Sequence, residues 1–139
     1  MMEKQEYSRE NMTELLRGHG INPTHQRIEI AHALFSRGEH LSAEQILLAV
    51  NSRHSETSKA TVYNTLKLFV EKKLVREVIV DPTKVFYDPN MSEHCHIYDV
   101  VNGRLTDVDA ANVSLSGLPA LPAGMVAESV DIIVRIRPA

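Results

Sequence analysis

Apolar residues recur at helical spacing through the first half of the chain and at strand spacing through the second. Met12, Leu15 and Leu16 share one side of a short helix over residues 9–17, which Gly18 and Gly20 end. Thr24 reads as the N-cap of a helix over 26–36 with Ile28, Ala31, Leu34 and Phe35 inward. Ser42 and Gln45 have the spacing of a capping box. They open a helix that buries Ala43, Ile46, Leu47 and Val50 and ends near Asn51. Ser58 caps the longest helix, over 58–74, with Val62, Leu66 and Phe69 on its inner face. Ala60, Tyr63, Asn64, Lys67 and Glu71 fall on its outer face.

From residue 74 the period changes to two. Residues 74–80 and 84–87 are rich in β-branched and aromatic side chains, and Asp81-Pro82-Thr83 supplies a turn between them. Residues 89–93 read as a hinge. A second hairpin, 94–101 with 104–109, turns at Asn102-Gly103. Pro119 and Pro122 limit the next stretch to a short helix near 110–116. The last strand, 129–136, is apolar on both faces and is expected to be buried at the centre of a sheet. The fold class is therefore α+β. A winged helix-turn-helix spans 1–88, and a small α/β domain spans 94–139.

Charge narrows the partners. The net charge is −3, and residues 1–90 hold 12 Lys/Arg against 12 Asp/Glu. Residues 91–139 hold 3 against 6, so the acidic excess lies wholly in the second domain. Blanket basic attraction to nucleic acid is excluded. DNA binding would need cations placed on one docked face and two copies of the chain. The outer face of the 58–74 helix fits a major groove: Tyr63 and Asn64, with Thr61, toward base edges, and Lys59 and Lys67 toward phosphate. Arg27, in the first turn of its helix, is a further DNA candidate. The last domain cannot cover its own apolar surface, so a symmetric homodimer is expected. No apolar run approaches 18 residues and the first residues are polar, so a cytoplasmic protein without a membrane segment is expected.

Cys95 is the only cysteine, which rules out an intrachain disulfide and a CxxC zinc site. His94 and His96 share one strand face. With a two-residue turn, Val101 pairs with Arg104, Tyr98 with Asp107 and His96 with Asp109. His94, His96, Asp107 and Asp109 then share a face, and Cys95, Ile97 and Asp99 the other. Two imidazoles beside carboxylates make a partial site for Fe(II), Mn(II) or Zn(II), to be completed by residues such as Asp88 or His40. A metallohydrolase would need a general base and an HExxH-type or nucleophile motif, and the chain has neither, so no enzyme is expected. A constitutive winged-helix regulator with inert hairpin histidines is the alternative to a sensor.

Four runs appear in order: His40-Leu-Ser-Ala-Glu, Ala60-Thr-Val-Tyr-Asn-Thr-Leu, Val85-Phe-Tyr-Asp, and His94-Cys-His followed by Asn-Gly and Asp107. Together they resemble the ferric uptake regulator family of dimeric, metal-responsive repressors. The Tyr87-Asp88-Pro-Asn-x-Ser-Glu-His run and the closing Val130-Asp-Ile-Ile-Val-Arg-Ile-Arg are most similar to its iron response regulator branch. The resemblance implies a regulator of iron-homeostasis genes on palindromic AT-rich operators. It implies a regulatory metal site at His40, Asp88, His94, His96 and Asp107, with Tyr87 the alternative to Asp88. It implies that Tyr63 contacts thymine. The structural zinc of many members should be absent, because Asp99 and Asn102 stand where the first cysteine pair would be. Three adjacent histidines accompany haem sensing in the iron response branch. Here Cys95 replaces the middle one, which leaves His94, Cys95 and His96 as a haem candidate.

Overall fold

The computed structural model describes residues 7–37, 40–52, 57–91 and 95–139. It divides into two compact units, 1–91 and 92–139.

Among the described residues the first unit carries four α-helices: α1 (Arg9–Gly18), α2 (His25–Ser36), α3 (Ala43–Val50) and α4 (Lys59–Glu71). Each begins where a hydroxyl satisfies a free backbone N–H. Ser8 Oγ accepts from Asn11, Thr24 Oγ1 from Arg27, Ser42 Oγ from Gln45 and Ser58 Oγ from Thr61. The capping box is complete, since the Ser42 N–H also donates to Gln45 Oε1 at 2.8 Å. Gly20 adopts φ +72° after α1, and the Ile21 N–H closes on the Leu16 carbonyl at 2.9 Å.

The inward faces meet in one core of Leu16, Ile30, Leu34, Ile46, Val62, Leu66 and Phe69, all fully buried. Helix α4 stops at Glu71, short of the expected 74. Lys73 takes a left-handed φ of 60°, and the Leu74 N–H returns to the Phe69 carbonyl at 2.9 Å. Leu74 and Val75 are therefore buried connectors rather than the start of a strand.

The wing is the hairpin of β2 (Arg76–Asp81) and β3 (Lys84–Asp88), preceded in the chain by a two-residue strand, β1 (Leu41–Ser42). The sheet order is β1-β3-β2. Asp81 Oδ1 accepts from the Thr83 N–H at 2.8 Å and so fixes the turn. A register irregularity then intervenes: Asp81 pairs with Lys84 but Ile79 with Val85, leaving Val80 as the extra residue.

The second unit is a three-stranded sheet of β4 (Cys95–Asp99), β5 (Arg104–Val108) and β6 (Ile133–Ile136), in the order β5-β4-β6. Strand β5 runs antiparallel and β6 parallel to β4. Three expectations need correction. The turn has four residues, because Asp99 Oδ1 accepts from the Val101 and Asn102 N–H groups, both at 3.0 Å, and Gly103 supplies φ +68°. Pairing therefore runs Asp99 with Arg104, Tyr98 with Leu105 and His96 with Asp107. The slip is two residues, so the faces are as expected but the partners change. The helix near 110–116 shrinks to a single 3₁₀ turn, Ala110–Asn112. Strand β6 is four residues long and lies at the edge; β4 is the central strand. Val134 and Ile136 of β6 are half exposed.

Candidate metal centre and nucleic-acid interface

Strand β1 positions the first pair of metal candidates. Leu41 is paired with Tyr87 in an antiparallel ladder, so the residues just outside that pair, His40 and Asp88, come opposite each other. His40 Nε2 lies 3.0 Å from Asp88 Oδ2, and both side chains are buried. The bulge at Val80 brings Arg76 opposite Asp88 as well, with Nε 3.9 Å from the same oxygen. Asp88 Oδ1 accepts from the Asn90 N–H at 2.9 Å. Burying a carboxylate this deeply is costly unless cations and donors surround it, and here they do. Tyr87, the alternative at this position, instead packs in the helical core beside Leu41. Its burial pushes the phenol pKa up, and nearby Glu77 adds to this.

The second pair lies on the second unit's hairpin. His96 Nε2 is 3.4 Å from Asp107 Oδ1, across the ladder from it. His96 is 1% exposed and the Asp107 side chain 42%. Asp109, expected opposite His96, is one step beyond the paired residues. His94 lies outside the described residues. Cys95 is buried and pairs with Val108, so it projects to the other face from His96. Imidazole plus carboxylate is a donor set that suits Mn(II), Fe(II) or Zn(II), and both pairs provide it.

Helix α4 carries the DNA candidates. Val62, Leu66 and Phe69 are buried, whereas Tyr63, Asn64 and Lys67 are exposed. Lys59 Nζ sits 5.7 Å from the centroid of the Tyr63 ring, within cation–π range. The Tyr63 hydroxyl donates to Glu44 Oε1 at 2.9 Å, across from α3. That bond holds the Glu44 carboxyl below its usual range and raises the Tyr63 phenol. The Thr61 hydroxyl is engaged with Ser58 Oγ at 2.9 Å. Arg27 is half-buried, and its Nη1 donates to the Asn22 carbonyl at 3.0 Å, bracing the turn before α2.

Sequence reasoning missed Arg76 and Glu44. Arg76 was hidden because the bulge alters the register by one residue. Glu44 stands in the His40-Leu-Ser-Ala-Glu run, but the pattern gave it no partner.

A sequence profile described as the Ferric uptake regulator family matches residues 18–118. The peroxide-responsive repressor PerR of Staphylococcus epidermidis is 32% identical over 92 residues, covering 66% of this chain and 61% of that protein. The chain thus spans about three-fifths of the length of that curated relative. Among solved structures, the ferric uptake regulator of Vibrio cholerae superposes with a TM-score of 0.70 at 19% identity, covering 91% of this chain and 98% of that one. That of Pseudomonas aeruginosa with manganese gives 0.66 at 21%, covering 91% and 97%. At these identities the superpositions speak to the fold, which is the same α+β arrangement. Members of the family are DNA-binding transcription regulators, and the chain is not an enzyme. Among the described residues no helix is long and apolar enough to cross a membrane. The match over 101 of the 139 residues places this chain in the ferric uptake regulator family.

Proposed function

We propose that the chain is a cytoplasmic, dimeric, metal-responsive repressor acting on iron-homeostasis genes through palindromic AT-rich operators. The observation that carries this reading is the buried pair of His40 and Asp88 at the end of the wing. A second histidine–carboxylate pair, His96 and Asp107, stands on the next hairpin of the chain. The ligand set that the family resemblance implies, His40, Asp88, His94, His96 and Asp107, would hold one divalent ion. An ion held there would supply positive charge opposite the Asp88 and Asp107 carboxylates. A ligand shared by two bodies favours one arrangement of them, and only that difference in affinity shifts the population. A hundredfold shift needs about 2.7 kcal/mol of preference.

The manganese in the Pseudomonas aeruginosa relative and the repressor role of the Staphylococcus epidermidis relative support the metal and the direction of control. The buried positions of Cys95 and His96 favour a small ion over a haem. Likeness to the iron response branch rests on the sequence runs alone. Tyr63 and Asn64 read bases, with Thr61 beside them; Lys59, Lys67 and Arg27 serve the phosphates. Leu115, Leu118, Leu121, Met125, Val126 and Val134 are exposed on the second unit, an apolar surface suited to a second copy of the chain. Elemental analysis of protein purified without chelator tests the reading. About one Mn, Fe or Zn per chain, lost in His40→Ala and in His96→Ala, is expected. Metal-free protein that takes up no ion on titration would leave the constitutive regulator.

A further inference from the structure

A phenol has one proton and two lone pairs. In this structure the proton of the Tyr63 hydroxyl is already committed to a protein carboxylate, Glu44 Oε1, at 2.9 Å. Glu44 lies in the first turn of α3 and is exposed, on the same side of the molecule as the outer face of α4. Two cations act on it, Lys59 at the start of α4 and Lys84 at the tip of the wing. Lys59 also lies over the Tyr63 ring, so the ring face and the hydroxyl are both engaged.

We propose that Glu44 is a specificity residue that acts through Tyr63: by accepting the hydroxyl proton it leaves the phenol oxygen as an acceptor only toward the base edges. The inference rests on the base-reading role of Tyr63 given above. In the major groove, adenine N6 and cytosine N4 present donors, whereas guanine N7 and O6 and thymine O4 present acceptors. An acceptor-only oxygen is attracted to the exocyclic amines and repelled by the others. Beyond thymine O4 in an A·T pair stands the thymine methyl, which the Tyr63 ring can pack against. Glu44 thus makes the Tyr63 oxygen select an amine-bearing base, adenine or cytosine, without a direct contact of its own, and the ring–methyl contact narrows that choice to A·T. The carboxylate has a second consequence. It repels phosphate, so it weakens binding to DNA of any sequence and sharpens the ratio between cognate and random sites.

The test is selection from a random-sequence duplex library by the Mn(II)-loaded full chain, with far-UV circular dichroism to confirm folding. The forms compared are wild type, Tyr63→Phe, Tyr63→Ala, Glu44→Ala and Glu44→Gln. Tyr63→Phe should lose the preference for an amine-bearing base, adenine or cytosine, at one position of each half-site, whereas Tyr63→Ala should also lose the preference for thymine opposite it. Glu44→Ala should lose on the order of tenfold discrimination at that same pair, the value of one good base contact. It should also bind random duplex more tightly. Glu44→Gln keeps an acceptor oxygen, so it should restore the base preference while retaining the tighter random binding. Undiminished preference in Glu44→Ala, or a change at a different base pair from Tyr63→Phe, overturns the inference and leaves Tyr63 as reader. Should both Tyr63 variants keep every preference, the base-reading role itself is wrong and the inference falls with it.

Discussion

His40 and Asp88 are neighbours because β1 begins with Leu41 paired against Tyr87, which puts the residue before the one opposite the residue after the other. Their 3.0 Å contact is the direct product of the Leu41–Tyr87 and Ser42–Phe86 register. A single residue of slip would turn one of the two side chains to the other face. The pair thus ties the start of α3 to the end of the wing.

Asp88→Asn tests the pair as a metal ligand. The amide is nearly isosteric but uncharged and a poor partner for a hard cation. Mn(II) affinity, measured by calorimetric titration, should fall by at least about tenfold, the loss seen when even supporting groups of a metal site are removed. The half-buried Arg76 beside it loses its counter-charge, so thermal stability should fall too. Unchanged Mn(II) affinity would remove Asp88 from the ligand set.

Tyr63→Ala and Lys67→Ala should fail differently. The first should weaken cognate binding by about 1–3 kcal/mol and random binding far less. The second should weaken both alike and reduce the salt dependence by about one unit of slope. Anisotropy titrations on both duplexes at several salt concentrations separate them. Equal losses for the Tyr63 variant would assign the reading to another residue.

The Arg9–Glu29 clasp predicts a pH effect. Arg9 Nε and Nη2 donate to the two Glu29 oxygens at 2.5 and 3.1 Å, joining α1 to α2. The hydrogen bond from Arg9 lowers the Glu29 carboxyl from its ordinary 4.5, and His25 and His32 add to this. A lowered carboxyl stabilises the fold above its unfolded value and loses that contribution as pH falls through the folded one. The melting temperature of Glu29→Gln should therefore lie slightly below wild type at neutral pH, at a cost of at most about 1 kcal/mol of stability because the pair is partly exposed. The two should converge well below pH 4.5. A difference that persists there would mean packing, not charge.

Val134 on the edge strand tests the apolar surface of the second unit. It is 50% exposed in the single chain. Val134→Asp should shift the oligomer toward monomer in sedimentation and weaken operator binding, since each half-site then loses its tethered partner. A variant that sediments as wild type would place the contact between copies elsewhere.

The helices were legible because each begins with a hydroxyl cap and carries three or four apolar residues at the right spacing. The interior of α4 follows directly from Val62, Leu66 and Phe69. The metal-ligand candidates were legible as residue types, and the family resemblance ordered them. What escaped had short-range or non-local causes. Strand β1 is too short to show a period and exists only because β3 offers a partner. The four-residue turn arises from the Asp99 carboxylate, which outweighs the Asn-Gly signal beside it. Strand β6 looked central because both faces are apolar. Apolarity marks what must be covered, not which chain covers it. The interaction of Glu44 with Tyr63 spans 19 residues and leaves no periodic trace.

The central claim is that an ion held by the proposed ligands His40, Asp88, His94, His96 and Asp107 controls DNA affinity. Fluorescence anisotropy on a palindromic AT-rich duplex, with and without Mn(II), measures this directly. Wild type should bind with clearly different affinity in the two conditions, and the His40→Ala, His96→Ala double variant should bind the same in both. Equal affinity of the wild type with and without Mn(II), Fe(II) or Zn(II) would contradict the account.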